Sequence, residues 1–183
     1  VPGADKLVPL AFIIIIGTVV LQSLTARPLA KALGVAMPKT HGVLLVGANT
    51  FSVSLSEALA KQEVQSVICD TNWENLKKAR ILGIETYYGN PSSEHAQLHL
   101  NMPTYGYMLG VSSHFEYNLA QAAAFRDEFG ARNVFTLAPN QSSKRFHKHV
   151  ASPHKSGRIL FSTDIAYSQV RKKMNAGFTV KVT

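Results

Sequence analysis

The residues best suited to chemistry follow a short apolar run near position 45. Gly47-Ala48-Asn49-Thr50-Phe51-Ser52 has the spacing G-x-N-x-x-S, where a dinucleotide-binding turn has G-x-G-x-x-G. In such a turn the glycines allow a tight bend and let the backbone approach a pyrophosphate. Because Asn49 and Ser52 replace two of these glycines, the segment predicts either a modified phosphate loop or an ordinary strand–helix turn.

Asp70 is the second candidate, and it ends another apolar run 23 residues after Gly47. An acidic side chain in this place can accept hydrogen bonds from a ribose hydroxyl. The alternative is that Asp70 caps the following helix, although Thr71 is also able to do so. The turn and Asp70 together predict contacts to a nucleotide.

Five apolar runs separated by helical segments must position these residues. Near-continuous apolar runs are typical of strands buried on both faces of a parallel sheet. The predicted strands are GVLLVG (42–47), QSVICD (65–70), IETYY (84–88), GYMLGV (106–111) and NVFTLA (133–138). The predicted helices cover 52–63, 72–82, 92–100 and 115–129. This alternation predicts an α/β fold with a Rossmann-like, doubly wound parallel sheet.

Two of the predicted helices begin with the spacing of a capping box. Thr71 is paired with Glu74, and Ser113 with Glu116. Ligands of doubly wound folds bind beyond the carboxyl ends of the strands. The candidate binding residues share that edge, and they are Gly47, Ala48, Asn49, Thr50, Phe51, Ser52, Asp70, Thr71, Asn90 and Ser112.

No catalytic constellation accompanies these residues in the sequence. The sequence lacks a Tyr-x-x-x-Lys pair after the fourth strand, a Gly-x-Ser-x-Gly elbow and a Gly-Lys-Ser/Thr phosphate loop. His95 and His99 have the spacing to pinch a metal, but no further ligand is predicted beside them. Cys69 lies inside a predicted strand, where a thiol is buried and inert. We therefore expect neither an enzyme nor a metal site.

The start of the chain has a different character. The twenty residues between Lys6 and Arg27, LVPLAFIIIIGTVVLQSLTA, carry no charge. A helix of this length spans about 30 Å, one hydrocarbon core. A buried soluble helix and a secretory signal peptide are the alternatives. We expect a transmembrane helix over 1–27, followed by a juxtamembrane helix and linker over 28–40 that begins at Pro28.

The distribution of charge predicts the orientation of the chain in the membrane and excludes one class of partner. Basic residues from Arg27 onward follow the apolar helix, so the positive-inside rule places the rest of the chain in the cytoplasm. The net charge of +8 is uneven, since residues 41–140 contain six Lys and Arg against nine Asp and Glu. A nucleic-acid binder usually carries its basic stripe on the folded domain. We therefore expect no nucleic-acid partner.

The tail is predicted to form a basic linker and a further group of elements. SKRFHKHVASPHKSGR (143–158) is polar, without an apolar period. RILFS (158–162) and FTVKV (178–182) predict strands on either side of a helix over 163–175. We expect a domain over 41–142, and over 143–183 the linker and the start of a C-terminal extension. The chain also begins with Val1, which indicates a piece of a longer protein.

The combination of these parts resembles one known arrangement. KLVPLAFIIIIGTVVLQSLTARPLAKALGV (6–35) resembles the last transmembrane helix and exit segment of bacterial NhaP-like monovalent cation:proton antiporters. Three further segments resemble the regulator-of-K⁺-conductance (RCK), or TrkA-N-like, domain fused to such antiporters. They are HGVLLVGANTFSVSLSEAL (41–59), VICDTNWENLKKARILGIETYYGN (67–90) and GVSSHFEYNLAQAAAFRDEFG (110–130).

This resemblance implies a cytosolic Rossmann module that binds NAD(H) or an adenine nucleotide and pairs into dimers that gate transport. Carried over by position, Gly47, Asn49 and Ser52 form the phosphate loop, Asp70 holds the ribose, and Asn90 lies near the adenine. The implied partners are the bacterial inner membrane, the remaining transmembrane bundle of the transporter and a second copy of the chain.

We therefore expect the nucleotide-sensing regulatory domain and terminal membrane helix of a Na⁺(K⁺)/H⁺ antiporter. A membrane-anchored NAD(P)-dependent oxidoreductase and a ligand-free Rossmann dimerisation module are the alternatives.

Overall fold

The computed structural model describes residues 4–33, 42–140 and 157–181. The chain forms two compact units, Val1–Pro38 and Lys39–Thr183. The linker predicted over 143–158 and most of the linker before the sheet lie outside the described residues.

The first unit contains one long helix, α1 (Ala4–Ala32). By length and composition, its segment Val8–Ala30 is able to cross a membrane. The prediction that a separate helix begins at Pro28 is wrong, because α1 continues through Pro28 to Ala32. Within a helix a proline removes one backbone hydrogen bond and its ring crowds the carbonyl of residue i−4, and α1 accommodates both effects at Pro28.

The second unit contains a six-stranded parallel sheet, which confirms the predicted Rossmann-like α/β fold. Its strands are β1 (Gly42–Val46), β2 (Ser66–Asp70), β3 (Glu85–Tyr88), β4 (Tyr105–Gly110), β5 (Val134–Thr136) and β6 (Arg158–Ile159). Their spatial order is β3-β2-β1-β4-β5-β6, the order of dinucleotide-binding folds. Strands β1, β2, β3 and β5 lie within the segments predicted as strands, and β4 begins at Tyr105, one residue before its predicted start.

Helices cover both faces of the sheet. The described helices of this unit are α2 (Thr50–Ala60), α3 (Trp73–Ile81), α4 (Glu94–His99), α5 (Phe115–Phe129) and α6 (Tyr167–Asn175), with a 3₁₀ turn at Met102–Thr104. Val43 and Leu45 of β1 pack in the core beneath α2, α3 and α6, whereas Leu44 and Val46 pack in the core beneath α4 and α5. This alternation is the physical basis of a doubly wound sheet.

Both predicted capping boxes are wrong. The N-cap of α3 is Asn72, whose side chain accepts from the Glu74 backbone N–H at 3.0 Å. The N-cap of α5 is His114, without a side-chain capping bond. A true capping box starts α2 instead, at Asn49 and Ser52, so that helix begins two residues earlier than predicted. Local spacing identified polar residues near the helix starts but not which of them adopts the extended cap conformation.

The tail joins the same sheet. Strand β6 pairs in parallel with β5, and Ala166 forms a parallel bridge with Ala138. The helix predicted over 163–175 begins only at Tyr167, because Ala166 is extended and occupied by that bridge. Residues 178–181 form no strand, contrary to prediction. Pairing of β6 with β5 therefore extends the sheet past the predicted domain boundary at residue 142.

Candidate functional site

A cleft lies at the point where the strand order reverses. Strand β1 is flanked by β2 and β4, and ligands of such sheets bind beyond the carboxyl ends at this place. The cavity there measures about 560 Å³, and we call it the carboxyl-end cleft. Six predicted binding residues line it: Gly47, Ala48, Asn49, Asp70, Thr71 and Ser112.

Gly47 holds together the two turns that form the floor of the cleft. Its φ of +112° is accessible to glycine and strained for other residues. A Cβ atom here would lie 2.5 Å from both the Cα and the N of Ser112. Gly47 is therefore required by the bend, as predicted, and also by the close approach of the turn that follows β4.

Asn49 and Ser52 cap helix α2. The Asn49 Oδ1 accepts from the backbone N–H groups of Phe51, at 3.0 Å, and Ser52, at 3.1 Å. In return, the Ser52 hydroxyl accepts from the Asn49 N–H and donates to the Asn49 carbonyl, both at 2.9 Å. The Asn49 Nδ2 also donates to the Val111 carbonyl at 2.9 Å, which ties the first turn to the second.

This cap decides how well a dinucleotide fits the turn. A pyrophosphate in a Rossmann fold accepts hydrogen bonds from the backbone N–H groups at the start of the first helix. Here two of these donors, on Phe51 and Ser52, are already bonded to Asn49. The bend at Gly47 fits a dinucleotide, whereas the start of α2 does not offer the usual pyrophosphate contacts.

Asp70 connects β2 to the same turn. Its Oδ2 accepts from the Ala48 N–H at 2.8 Å, and its Oδ1 accepts from the Asn72 N–H at 2.7 Å. The Asn75 Nδ2 approaches both oxygens at a longer 3.3 Å. A carboxylate has about four acceptor positions, so two ribose hydroxyls would replace the long Asn75 contacts and leave the backbone bonds in place.

The second turn is closed by a residue that the sequence did not single out. Asn118 lies in α5 and is 1% exposed. Its Oδ1 accepts from the Ser112 N–H at 3.1 Å, and its Nδ2 donates to the Ser112 carbonyl at 3.0 Å. Gly110 permits this approach, because a Cβ there would lie 2.9 Å from the Asn118 Cβ.

Four predicted residues lie outside the carboxyl-end cleft. Thr50 and Phe51 line a neighbouring cavity of about 390 Å³ between α2 and α6. Ser52 is fully buried. Asn90 forms a turn after β3, where its Oδ1 accepts from the backbone and side chain of Ser92.

Seven further residues line the cleft that were not among the predicted binding residues, and they are Asn72, Asn75, Ser113, His114, Glu116, Tyr117 and Tyr167. The Tyr117 hydroxyl oxygen is buried and has no hydrogen-bond partner among the described residues. Burial, followed by the nearby Cys69 and Asp70, raises the pKa of Tyr117 to about 12, so the hydroxyl keeps its proton at neutral pH. Spacing alone offers no signal for Tyr167, which reaches the cleft only because the tail folds back onto α2.

The cysteine and histidines occupy other positions. Burial raises the pKa of the Cys69 thiol, with smaller contributions from the charges of Glu85 and Asp70, as expected for an inert core cysteine. His95 and His99 stack with ring centroids 3.9 Å apart, and the Tyr87 hydroxyl contacts the His95 Nδ1 at 2.8 Å. Within residues 4–33, 42–140 and 157–181, no group of three metal-binding side chains is assembled.

A larger cavity, of about 630 Å³, lies at the amino ends of the strands, opposite the carboxyl-end cleft. Gln65 and Ser66 border it near the start of β2, and Glu85 borders it at the start of β3. None of the predicted binding residues lines this cavity. Because ligands of this fold bind at the carboxyl ends of the strands, size alone does not make this cavity the site.

The topology and the cleft at its reversal point define a Rossmann-type domain. The sequence profile of the TrkA-N domain matches residues 43–152, and the chain belongs to this family. No curated protein sequence matches the chain.

Solved structures of related domains share the fold. The TrkA-N domain of the inner membrane protein ybaL from Escherichia coli is 13% identical, with a TM-score of 0.53, and the match covers 76% of this chain and 97% of that one. The NAD(P)-binding domain of an exopolyphosphatase-related protein from Archaeoglobus fulgidus is 14% identical, with a TM-score of 0.52, covering 75% and 96%. The GsuK RCK domain is 14% identical, with a TM-score of 0.50, covering 67% and 26%. At these identities the likeness concerns the fold alone.

Proposed function

We propose that the second unit is a regulatory nucleotide-sensing domain that binds NAD(H) or an adenine nucleotide in the carboxyl-end cleft. The observation that carries this proposal is the position of Asp70. Asp70 is the last residue of β2, and its carboxylate contacts the turn after β1 and lines the cleft at the reversal point of the sheet. An acidic residue at this place suits the hydroxyls of a ribose.

We further propose that the complete protein is a monovalent cation:proton antiporter of the NhaP-like type. In this account α1 is its last membrane helix, crosses the bacterial inner membrane and places the residues after Arg27 in the cytoplasm. Support comes from the apolar span Val8–Ala30, from TrkA-N membership and from the inner membrane protein among the structural relatives.

Regulation would then act through pairs of these domains. A bound nucleotide favours one arrangement of the pair only if it binds that arrangement more tightly, by about 1.4 kcal/mol for each tenfold change in the equilibrium. The residues that follow α1 would pass this preference to the transport bundle. The domain itself performs no chemistry on the nucleotide.

A ligand-free dimerisation module is the second candidate, and one observation favours it. Asn49 occupies two helix N–H groups that a pyrophosphate would normally use. A module that has lost its ligand would keep this cap for stability alone.

Binding to the full chain in detergent separates these candidates. Titration with NADH, NAD⁺, ATP and AMP is expected to give saturable binding without turnover. Asp70→Asn is expected to weaken that binding about tenfold, through loss of a charged acceptor. Asp127→Asn makes the same chemical change on the exposed side of α5 and should leave affinity unchanged.

Absence of binding to all four ligands would support the dimerisation module. Hydride transfer from NADH to an acceptor would overturn both proposals in favour of an oxidoreductase. The antiporter assignment is tested in everted membrane vesicles that contain the complete protein, where Na⁺ or K⁺ should dissipate a proton gradient.

A further inference from the structure

The place where a pyrophosphate would bind is filled by the protein's own side chain. The Phe51 and Ser52 N–H groups belong to the first turn of α2, where backbone donors lack partners within the helix. Asn49 Oδ1 accepts from both. A phosphate oxygen can use these donors only after displacing Asn49.

Asn49 is held in that position from several sides. Its Nδ2 donates to the Val111 carbonyl at the end of β4, and its backbone N–H donates to the Ser52 hydroxyl. The Ser52 side chain is fully buried against the sheet. Movement of Asn49 would therefore break the link between the two turns as well as the cap.

The described lining of the cleft offers an added phosphate no lysine or arginine to pair with. This lining includes the carboxylates Asp70 and Glu116. Arg171 lines the neighbouring cavity with Thr50 instead. The Tyr117 hydroxyl and the Asn75 amide are uncharged groups, suited to a neutral polar ligand.

We propose that the carboxyl-end cleft recognises the nucleoside portion of its ligand and gains little affinity from phosphate groups. This inference rests on the proposed nucleotide-binding function and narrows it. Asp70 accepts from the ribose hydroxyls, and Asn49 takes the place of the pyrophosphate at the start of α2.

Calorimetric titration of the full chain in detergent with adenosine, AMP, ADP and NADH tests this proposal. The four dissociation constants are expected to agree within about threefold. At an open helix start, charge-assisted bonds to phosphate would make ADP at least about tenfold tighter than adenosine. All titrations are made at one ionic strength, so that screening is equal.

Asn49→Gly frees both N–H groups and should tighten ADP and NADH about tenfold while leaving adenosine unchanged. Asn101→Gly is the matched control, because Asn101 lies outside the cleft and makes no side-chain cap bond. If Asn49→Gly folds poorly, Asn49→Ala exposes the same donors. Asn49 has an extended φ of −159°, which alanine adopts freely.

The outcomes separate the two proposals. If ADP or NADH binds tenfold tighter than adenosine, this inference is overturned and the nucleotide-sensing function stands. The same holds if Asn49→Gly leaves the preference for phosphate unchanged. If none of the four ligands binds, the function and the inference both fail.

Discussion

The turns after β1 and β4 form the floor of the cleft, and each is fixed by an asparagine side chain in a different way. The turn after β1 is closed locally, because Asn49 caps α2 with its own side chain. The turn after β4 is closed from a distance, by Asn118 in the first turns of α5, which bonds both the N–H and the carbonyl of Ser112. The local cap occupies helix N–H donors, so the method of closure determines which ligand groups the cleft can bind.

Gly47→Ala is expected to have the largest effect, because the added methyl group would push the turns after β1 and β4 apart. The new Cβ would lie 2.5 Å from the Ser112 backbone, at a φ of +112°. We expect the free energy of unfolding to fall by about 3 kcal/mol or more. Urea unfolding of the full chain in detergent, followed by the fluorescence of Trp73, measures the loss.

Gly83→Ala is the control for backbone strain alone. Gly83 has a φ of +73°, but no atom lies within 4 Å of its added Cβ. Its substitution should lower stability by only about 1 kcal/mol. Equal losses for both variants would contradict the close approach of the two turns.

Asn118→Ala is expected to have the next largest effect. It removes the partner of both backbone groups of Ser112 in a buried site, which should lower stability by about 2 kcal/mol. The same unfolding experiment measures this change.

Gln121→Met provides the comparison on the same helix. Gln121 is also buried, but its Oε1 has no hydrogen-bond partner among the described residues. Its replacement should be neutral or slightly stabilising. A loss as large as that of Asn118→Ala would show that burial, rather than hydrogen bonding, gives Asn118 its importance.

The variants Asn49→Ala and Ser113→Ala compare the observed cap of α2 with the cap that was predicted for α5. Loss of the α2 cap is expected to reduce stability by about 1 kcal/mol, the usual value for an N-cap. Ser113→Ala should change it by less than about 0.5 kcal/mol, because among the described residues the Ser113 hydroxyl contacts the His114 ring alone. The unfolding midpoint of Asn49→Ala should therefore be lower than that of Ser113→Ala. The reverse order would support the predicted capping box at Ser113.

A further expected effect, no larger than that of the α2 cap, is a dependence of stability on pH beneath the first turn. The Cys69 carbonyl accepts from the Gly47 N–H, and burial raises the pKa of the Cys69 thiol above its ordinary 9.0. The unfolded thiol therefore ionises first, and stability should fall by about 1 kcal/mol as pH rises from about 9 to 10. Cys69→Ala should show a smaller decline, because the raised pKa of Tyr117 contributes in both proteins, and an identical pH profile would contradict the role of Cys69.

The strands could be predicted because burial on both faces of a sheet leaves a direct mark on sequence. GVLLVG and NVFTLA are almost wholly apolar, and β1 and β5 lie within them. Helix α5 begins and ends where predicted, because its amphipathic pattern extends over a long segment and Gly130 ends it with a φ of +80°. In these elements local pattern and tertiary packing agree.

The caps could not be assigned, because they depend on contacts across the chain. Asp70, Thr71 and Asn72 are consecutive polar residues that can each cap a helix. Asp70 is drawn instead towards the Ala48 N–H, and Asn72 takes the cap. Asn118 has the sequence appearance of a solvated helix residue, and its buried position depends on the close approach of Gly110 and the turn at Ser112.

Among the candidate binding residues, those at or just after the ends of the adjacent strands β1, β2 and β4 line the cleft. Gly47, Asp70 and Ser112 follow neighbouring strands, so the order of the sheet brings them together. Asn90 follows the edge strand β3 and lies outside the cleft. The strand order, which the sequence did not specify, determines this difference.

The central claim is that Asp70 accepts hydrogen bonds from a ribose in the carboxyl-end cleft. The most direct test compares adenosine with 2′-deoxyadenosine in calorimetric titrations of the full chain. Loss of one hydroxyl should weaken binding about tenfold, because a charged acceptor is left without its partner. Equal affinities for the two nucleosides would contradict the claim.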